Sequence, residues 1–218
     1  MQKNKQAFFV TGTDTDVGKT YIATALVRHF VQQGYQAVGV KPVAAGCQKE
    51  NGELRNTDVS ALVAASNVDA DLALINPYAF EPAIAPHIAA EQAGITVSLA
   101  KIQQAFDSLQ AQADVVVVEG AGGFRVPINR QETMADLVAQ LNLPVIMVVG
   151  IRLGCINHAL MTAGSIRAAG LNLVGWVANR IDPDMPALAE NIATLRAMIK
   201  APCIADVAWG EAPKFSEI

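Results

Sequence analysis

The chain has 218 residues, of which 52% are apolar and 17% charged, and its net charge is −4 at pH 7. This composition excludes an intrinsically disordered chain, because so much apolar surface can offset the entropy lost on folding. The acidic balance gives no general electrostatic reason to bind nucleic acid, and no apolar stretch approaches the roughly 20 residues of a membrane-spanning helix. The three cysteines have neither paired nor metal-binding spacing, which indicates reduced thiols. We therefore expect a soluble, cytoplasmic protein that folds as a single domain over residues 1–218.

Short apolar runs alternate along the chain with longer amphipathic segments, which predicts strands alternating with helices. The predicted strands are Ala7–Thr11, Ala37–Lys41, Val115–Glu119, Val145–Gly150, Leu173–Ala178 and Cys203–Val207. The predicted helices are near Lys19–Gln33, Ser98–Gln112, Thr133–Leu141, Asn157–Ala169 and Pro186–Ile199. Four consecutive valines, Val115–Val118, lack polar alternation, as expected of a strand buried on both faces of a parallel sheet. The order of elements predicts an α/β layered fold with right-handed crossovers.

One segment, Ala73–Gly94, interrupts this alternation. It contains Pro77, Pro82 and Pro86, and its pattern fits neither a helix nor a strand. Irregular segments of this length inside a compact domain usually cover a functional site or act as linkers. We therefore expect an irregular loop here.

The first predicted strand runs directly into a glycine-containing loop, after which a helix begins. The loop consists of Gly12, Thr13, Asp14, Thr15, Asp16, Val17, Gly18, Lys19 and Thr20. Such glycines let backbone N–H groups surround a phosphate, while the helix N-terminus adds a favourable dipole. Lys19 can reach the β- and γ-phosphates, and the Thr20 hydroxyl can bind Mg²⁺. Five residues separate Gly12 from Gly18 where four are usual, yet the strand–turn–helix context predicts a phosphate-binding loop (P-loop).

Two carboxylates are candidate Mg²⁺ ligands for such a loop. Glu119 ends the valine strand and is followed by Gly120–Gly123, which would allow a ligand to approach closely. Its alternative role is to cap the turn that follows. Asp58 is the second candidate, although from spacing alone a helix N-cap for Asp58–Ala65 accounts for it better.

Three further predicted strand ends would face the same crevice, because the carboxyl ends of parallel strands bind ligands in open α/β sheets. Lys41 could balance charge on a transferred phosphoryl group, or be a surface lysine with no role. The helix N-terminus beyond Gly150 could hold a carboxylate or phosphate, and His158 in it is typical of a capping or packing residue. Asn179 could bind a nucleotide base. With Asp182 it resembles the base-reading motif of GTP-binding proteins, although a turn before the next proline accounts for Asp182 equally well.

Eight segments occur in an order that carries a family resemblance. They are Gly12–Thr20, Lys41–Ala44, Arg55–Asp58, Asn76–Tyr78, Pro86-His87, Val118–Gly123, Gly154–His158 and Gly175–Asn179. Together they resemble the dethiobiotin synthetase family over about residues 8–180. The resemblance implies a P-loop NTPase-type three-layer α/β fold, with a mostly parallel sheet of about six or seven strands and helices on both faces. It also implies a cytoplasmic, homodimeric ligase that uses ATP, Mg²⁺ and CO₂ to carboxylate 7,8-diaminononanoate and close its ring, through a carbamate and a carbamic-phosphoric anhydride.

The resemblance also implies roles for individual residues. Mg²⁺ would be held by Thr20, Asp58 and Glu119, and ATP by Gly12–Thr20 together with Glu119, Gly122 and Asn179. The catalytic residues would be Lys19, Lys41, Thr15 and Asp16. The substrate would be bound by Lys41 and Ala45, and by Gly154, Cys155, Ile156 and Asn157 of the other subunit. Ala45 stands where relatives usually have serine, and Asp16 stands where glutamate is common.

Two other functions fit parts of the sequence. A partition or septum-positioning ATPase switch usually has a second lysine early in its P-loop and a basic or amphipathic membrane-binding segment, and Thr13–Asp16 and Ala208–Ile218 supply neither. An amidoligase acting on cobyrinic-type acids ordinarily needs an additional glutaminase domain, for which 218 residues leave no room.

Overall fold

Residues 5–216, the part of the chain that a computed structural model describes, form ten strands and eight helices. Residues 1–4 and 217–218 of the predicted domain lie outside the described part. The strands are β1 (Gln6–Gly12), β2 (Ala37–Val40), β3 (Val43–Ala45), β4 (Gln48–Glu50), β5 (Glu53–Arg55), β6 (Tyr78–Phe80), β7 (Val115–Gly123), β8 (Val145–Gly150), β9 (Leu173–Asn179) and β10 (Cys203–Val207). The helices are α1 (Lys19–Gln32), α2 (Thr57–Ala65), α3 (Leu72–Ile75), α4 (Pro86–Gln92), α5 (Leu99–Gln112), α6 (Met134–Leu141), α7 (Cys155–Ala168) and α8 (Leu188–Met198).

Six parallel strands form the central sheet in the order β10-β9-β8-β1-β7-β2. Side chains of a strand alternate between its two faces, so Phe8 of β1 packs in the cluster that contains Leu26 of α1. Phe9 packs in the opposite cluster with Phe106 of α5. The four valines of β7 divide in the same way, which confirms a strand buried on both faces. The fold is therefore a three-layer α/β fold, as predicted.

All six predicted strands and all five predicted helices are present, most with ends that differ by one or two residues. The largest difference is in β7, which continues to Gly123 rather than ending at Glu119. Within residues 5–216, no helix has both the length and the apolar character needed to cross a bilayer.

The segment Ala73–Gly94 is not an irregular loop, so that prediction was wrong. It contains most of α3, all of β6 and all of α4. Pro86 occupies the first turn of α4. The N–H groups of a first turn have no partner within the helix, so the missing N–H of proline costs no hydrogen bond there. Strand β6 pairs in parallel with β3, which fixes the segment beside Ala45. The segment therefore supports the chain that follows Lys41.

Candidate active site

The P-loop joins the central strand β1 to α1, and glycine is required at both of its ends. A side chain at Gly12 would place its Cβ 2.7 Å from Val17 Cγ2. Gly18 has a left-handed backbone with φ of +86°, and a Cβ there would lie 2.2 Å from Asn179 Nδ2. The 14-residue helix α1 begins immediately after Gly18. The N–H groups of its first turn have no partners within the helix, so the loop is suited to an anion.

Lys19 points back into the P-loop, where its Nζ donates a hydrogen bond to the Asp14 carbonyl oxygen at 2.8 Å. Burial lowers the pKa of Lys19, and the attraction of Glu119 only partly opposes this. A bound anion would therefore stabilise the charged form of Lys19.

Four of the predicted site residues meet in what we call the lysine–carboxylate cluster, formed by Thr20, Lys41, Asp58 and Glu119. Lys41 Nζ donates to Asp58 Oδ2 at 2.6 Å and to Glu119 Oε1 at 2.7 Å. The Thr20 hydroxyl donates to the same Glu119 oxygen at 2.7 Å. The side chains of Lys41 and Glu119 are only 7% and 0% exposed, which excludes a surface role for Lys41. The cluster joins α1, α2, β7 and the end of β2.

The cluster keeps Lys41 charged. Burial alone would lower the pKa of Lys41, but the carboxylates of Glu119 and Asp58 outweigh burial and raise it. Asp58 is free to take part because Asn56 caps α2, its Oδ1 accepting from the backbone N–H groups of Asp58 and Val59. The N-cap alternative for Asp58 is therefore wrong.

Glu119 has a second oxygen, Oε2, that is buried and makes no hydrogen bond with any residue in the described part of the chain. Such an oxygen costs about 1–3 kcal/mol unless a partner satisfies it. Two carboxylates and a hydroxyl are the hard oxygen ligands that Mg²⁺ prefers, so the cluster fits this ion. No group of three or more His, Cys, Asp and Glu among residues 5–216 is arranged to hold a metal. Mg²⁺ sites in phosphoryl-transfer enzymes commonly complete their ligands with substrate phosphates.

On the other side of the P-loop is what we call the base-side cavity, of about 650 Å³. Its walls are Asp16, Gly18, Tyr21, Asn179, Arg180, Ile181 and Ala208–Gly210. Asn179 ends β9 and its Nδ2 donates to the Val17 carbonyl at 2.9 Å, which ties the cavity to the loop. Trp209 is 66% exposed, and the Tyr21 hydroxyl holds this outer wall by donating to the Glu211 carbonyl at 2.6 Å.

The base-reading alternative for Asp182 is not supported by its contacts. Asp182 Oδ1 accepts from the backbone N–H of Asp184 at 3.2 Å, so the side chain stabilises a local turn. The turn alternative is confirmed, and Asn179 is left as the predicted base-binding residue that lies at the cavity.

The remaining P-loop and substrate candidates border these two regions. A Cβ on Gly122 would lie 3.8 Å from Thr15 Oγ1, so the end of β7 lies beside the loop. Asp16 has a left-handed backbone with φ of +57°, and Thr13 donates its N–H to the Val148 carbonyl at 3.0 Å. Ala45 lies on β3, and its carbonyl accepts from Asn56 Nδ2 at 3.3 Å.

Among the described residues, the four candidates at the start of α7 make no hydrogen bond or ion pair with the lysine–carboxylate cluster. Gly154 is the N-cap with φ of +91° and offers no side-chain cap, and Cys155, Ile156 and Asn157 form the first turn. Their loop reaches the P-loop through Arg152, whose Nη2 pairs with Asp14 Oδ2 at 2.6 Å. Sequence reasoning missed Arg152. Its only signal is a basic residue two positions beyond the end of β8, a location where parallel sheets bind ligands.

Comparison with known proteins gives concordant results. The family model described as an AAA domain matches residues 6–213. A curated relative from Xanthomonas oryzae pv. oryzae, named ATP-dependent dethiobiotin synthetase BioD, is 51% identical over 95% of this chain and 90% of its own length. Relatives of the same name from Aromatoleum aromaticum and Cellvibrio japonicus are 52% and 53% identical, over 91% and 92% of this chain and 88% of their own lengths.

Solved structures share the fold at low sequence identity. The septum site-determining protein MinD of Pyrococcus horikoshii, complexed with Mg-ADP, has a TM-score of 0.58 at 13% identity, covering 94% of this chain and 81% of that one. The signal recognition particle receptor FtsY of Elizabethkingia anophelis, in complex with GDP, has a TM-score of 0.55 at 17% identity, covering 100% of this chain and 62% of that one. At these identities the likeness concerns the fold alone.

Proposed function

Because the chain belongs to the ATP-dependent dethiobiotin synthetases, we propose that the P-loop and the lysine–carboxylate cluster together convert 7,8-diaminononanoate and CO₂ to dethiobiotin. The observation that carries the proposal is the buried contact of Lys41 and Thr20 with Glu119, directly beside the P-loop. The septum-positioning alternative has only a likeness of fold at 13% identity in its favour.

The reaction proceeds in three balanced steps. One amine of the substrate attacks CO₂, forming a C–N bond and losing a proton to give a carbamate. A carbamate oxygen attacks the γ-phosphorus of ATP, and the bond to ADP breaks, which yields a carbamic-phosphoric anhydride. The second amine attacks the carbamoyl carbon, phosphate leaves with the electrons of the C–O bond, and loss of a proton completes the ureido ring. Since every bond changes within the substrates, the protein contributes position and charge.

The P-loop binds the phosphates of ATP in this proposal. Its backbone from Gly12 to Thr20 surrounds them, and Lys19 moves from the Asp14 carbonyl to a phosphate oxygen. This change of partner is favourable because burial lowers the pKa of Lys19 and so disfavours the charged ammonium. A phosphate anion stabilises that ammonium better than the neutral Asp14 carbonyl does. Thr15 and Asp16 border the transferred group.

The lysine–carboxylate cluster neutralises the developing charge. Thr20, Asp58 and Glu119 would hold Mg²⁺, and the unsatisfied Oε2 of Glu119 supports this assignment. When bound, Mg²⁺ acts as a Lewis acid on the phosphate oxygens. Lys41 binds the carbamate and stabilises the transferred phosphoryl group, and the neighbouring carboxylates that raise its pKa keep it charged for this role.

The base-side cavity holds the adenine base against Asn179, and the substrate lies beside Ala45. We assign the substrate carboxylate to the start of α7 of a second subunit, so that the enzyme is a homodimer. The N-terminus of a 14-residue helix suits a carboxylate. Leu153, just before this helix, and Met161, at its middle, support the dimer because they are 91% and 67% exposed and a partner would cover them.

The same proposal covers the organisation and location of the chain. A family match over residues 6–213 supports a single domain over 1–218. The three cysteines are free thiols, which agrees with the reducing environment of the cytoplasm, where we place the enzyme.

The test is ADP release from Mg-ATP and ¹³C-bicarbonate, with and without the diamine. We expect the diamine to stimulate ADP release and to yield dethiobiotin that carries the label, identified by its mass. ADP release that occurs without EDTA and is lost when EDTA is added would support the Mg²⁺ assignment. The proposal fails if folded protein that binds ATP is not stimulated by the diamine and makes no labelled product.

A further inference from the structure

Lys41 already bonds one oxygen of each carboxylate in the proposed Mg²⁺ site, while Glu119 Oε2 has no partner in the described part of the chain. Lys41 Nζ lies 2.6 Å from Asp58 Oδ2 and 2.7 Å from Glu119 Oε1, and these residues supply both proposed carboxylate ligands. Thr20, the third proposed ligand, donates to the same Glu119 oxygen. The ammonium therefore stands at the meeting point of all three residues.

An ammonium and a divalent cation bound to the same two carboxylates repel each other strongly in a buried site. Mg²⁺ binds oxygen at about 2.0–2.1 Å, so a lysine that kept both contacts would bring two cations within a few ångströms of each other. The side chains of Lys41 and Glu119 are almost fully buried, where solvent does little to screen this repulsion. The flexible four-carbon stem of lysine allows the ammonium to turn away.

We propose that the Lys41 ammonium and the metal ion compete for the same two carboxylates. Lys41 pairs with Asp58 and Glu119 when they hold no metal, and metal binding releases it toward the substrate. This inference rests on the ligand assignment of the proposed function. It explains how one buried lysine serves two purposes. The pairing prevents Glu119 from being a buried charge without a partner, which would be strongly destabilising. Its release ties delivery of the catalytic ammonium to the arrival of the metal.

The first test is Mn²⁺ binding to the full chain without nucleotide, measured by the electron paramagnetic resonance signal of free Mn²⁺. Removing the competitor with Lys41→Gln should tighten Mn²⁺ binding by about tenfold or more. Lys41→Arg, which retains a cation, should bind Mn²⁺ as weakly as the unaltered protein. Lys101→Gln is the control, because the Lys101 ammonium bonds the Pro77 carbonyl and neither carboxylate. It should change the affinity by less than about threefold.

Three outcomes would overturn this competition. They are equal or weaker Mn²⁺ binding by Lys41→Gln, equal tightening by Lys101→Gln, and no Mn²⁺ binding by any variant. Dethiobiotin formation by the unaltered protein is measured separately. The proposed function can therefore hold while the competition is refuted, and the competition can be observed in a chain that makes no dethiobiotin.

Because Lys41→Gln leaves Glu119 without its cation, a second measurement uses the unaltered protein. The protein is labelled with ¹³C at lysine Cε, and the Lys41 resonance is assigned by its loss in Lys41→Arg. Saturating Mg²⁺ should shift this resonance. The Lys101 resonance should stay fixed, since Lys101 bonds the Pro77 carbonyl and lies 4.5 Å from the Tyr78 ring centroid. An unchanged Lys41 resonance would overturn the proposal.

Discussion

The lysine–carboxylate cluster and the base-side cavity flank the same P-loop, yet they are built in opposite ways. In the cluster, Lys41 and Glu119 are almost fully buried and joined by charged hydrogen bonds. In the cavity, Trp209 is largely exposed and its wall is attached through the Tyr21 hydroxyl. Buried polar networks tolerate little change, whereas an exposed wall can adapt to its ligand. We therefore expect the cluster to determine the rate and the cavity to determine nucleotide affinity.

The largest expected effect comes from Glu119→Gln, which keeps the shape of the side chain and removes its charge. Loss of a preorganised charge at a reacting centre should lower kcat by about 10²–10³-fold, with a much smaller change in KM for ATP. Steady-state formation of dethiobiotin measures both. Glu91→Gln, which disturbs only the exposed pair with Arg130, is the control. A fall of less than about tenfold in Glu119→Gln would contradict the importance of the cluster.

The two lysines of the site come next. Lys41→Gln and Lys19→Gln should each lower turnover by at least about tenfold, because each removes a charge assigned to the transferred phosphoryl group. Circular dichroism checks that each variant is folded, and Lys101→Gln controls for the loss of a lysine elsewhere. Near-normal turnover in both variants would refute the assigned roles.

Gly18→Ala tests the connection between the two regions. An added Cβ would lie 2.2 Å from Asn179 Nδ2. The alanine would also have to adopt the left-handed φ of +86° that Gly18 has. We expect a loss of about 2–3 kcal/mol in the free energy of unfolding and weaker ATP binding. Gly94→Ala is the matched control, since Gly94 has φ of +67° but no atom within 4 Å of the added Cβ. It should cost about 1 kcal/mol. Chemical denaturation compares the two variants, and equal losses would show that contact with Asn179 adds nothing to the backbone strain.

Trp209→Ala should raise KM for ATP by about three- to tenfold, the range expected for one aromatic stacking contact. Because Trp209 belongs to the cavity and touches no member of the cluster in our proposal, kcat should stay within about twofold. Trp209→Phe should restore most of the affinity. A large loss of kcat with unchanged KM would remove the distinction between the two regions.

The smallest effect concerns pH. Lys19 has a lowered pKa in the folded protein, so the unfolded chain binds the Lys19 proton more tightly. The free energy of unfolding therefore rises as the pH increases from that lowered pKa toward 10.5. Lys19→Met should therefore raise Tm at neutral pH, and this gain should shrink as the pH approaches 10.5.

Lys41 should behave in the opposite way. Because its pKa is raised, the charged Lys41 stabilises the folded protein. This contribution is complete below pH 10.5 and is lost only as the pH rises through the raised pKa. Lys41→Met should therefore lower Tm throughout the neutral range. Thermal unfolding from pH 7 to 10 measures both variants, and a stabilised Lys41→Met or a destabilised Lys19→Met would contradict these signs.

The layers of the fold and the P-loop could be predicted from the sequence because their signals are local. The valines of β7 and the spacing of Gly12, Gly18 and Lys19 each lie within a few residues. The partners of the site residues could not be predicted in this way. Asn56 and Asp58 can both cap a helix, and spacing does not show which of them does so. The ends of the Arg152–Asp14 and Tyr21–Glu211 contacts lie 138 and 190 residues apart, so no local pattern marks them.

The wrong prediction for Ala73–Gly94 has a physical reason as well. Proline breaks regular structure in the interior of a helix, but Pro86 begins a helix and therefore breaks nothing. Strand β6 is short and is stabilised by its pairing with β3, a contact that the periodicity of one segment cannot reveal. The grouping of Lys41 with Asp58 and Glu119 likewise depends on the three-dimensional arrangement of three separate elements.

The position of β1 in the middle of the sheet has a consequence for synthesis of the chain. Its two neighbours, β7 and β8, begin more than 100 residues later. At about 5–20 residues per second, a ribosome takes roughly 5–20 s to make the chain that separates β1 from β7. During that interval the apolar residues of β1 have no strand to pair with. Protection of this first strand, by the ribosome surface or by a chaperone, therefore affects the yield of folded enzyme before any of its chemistry can begin.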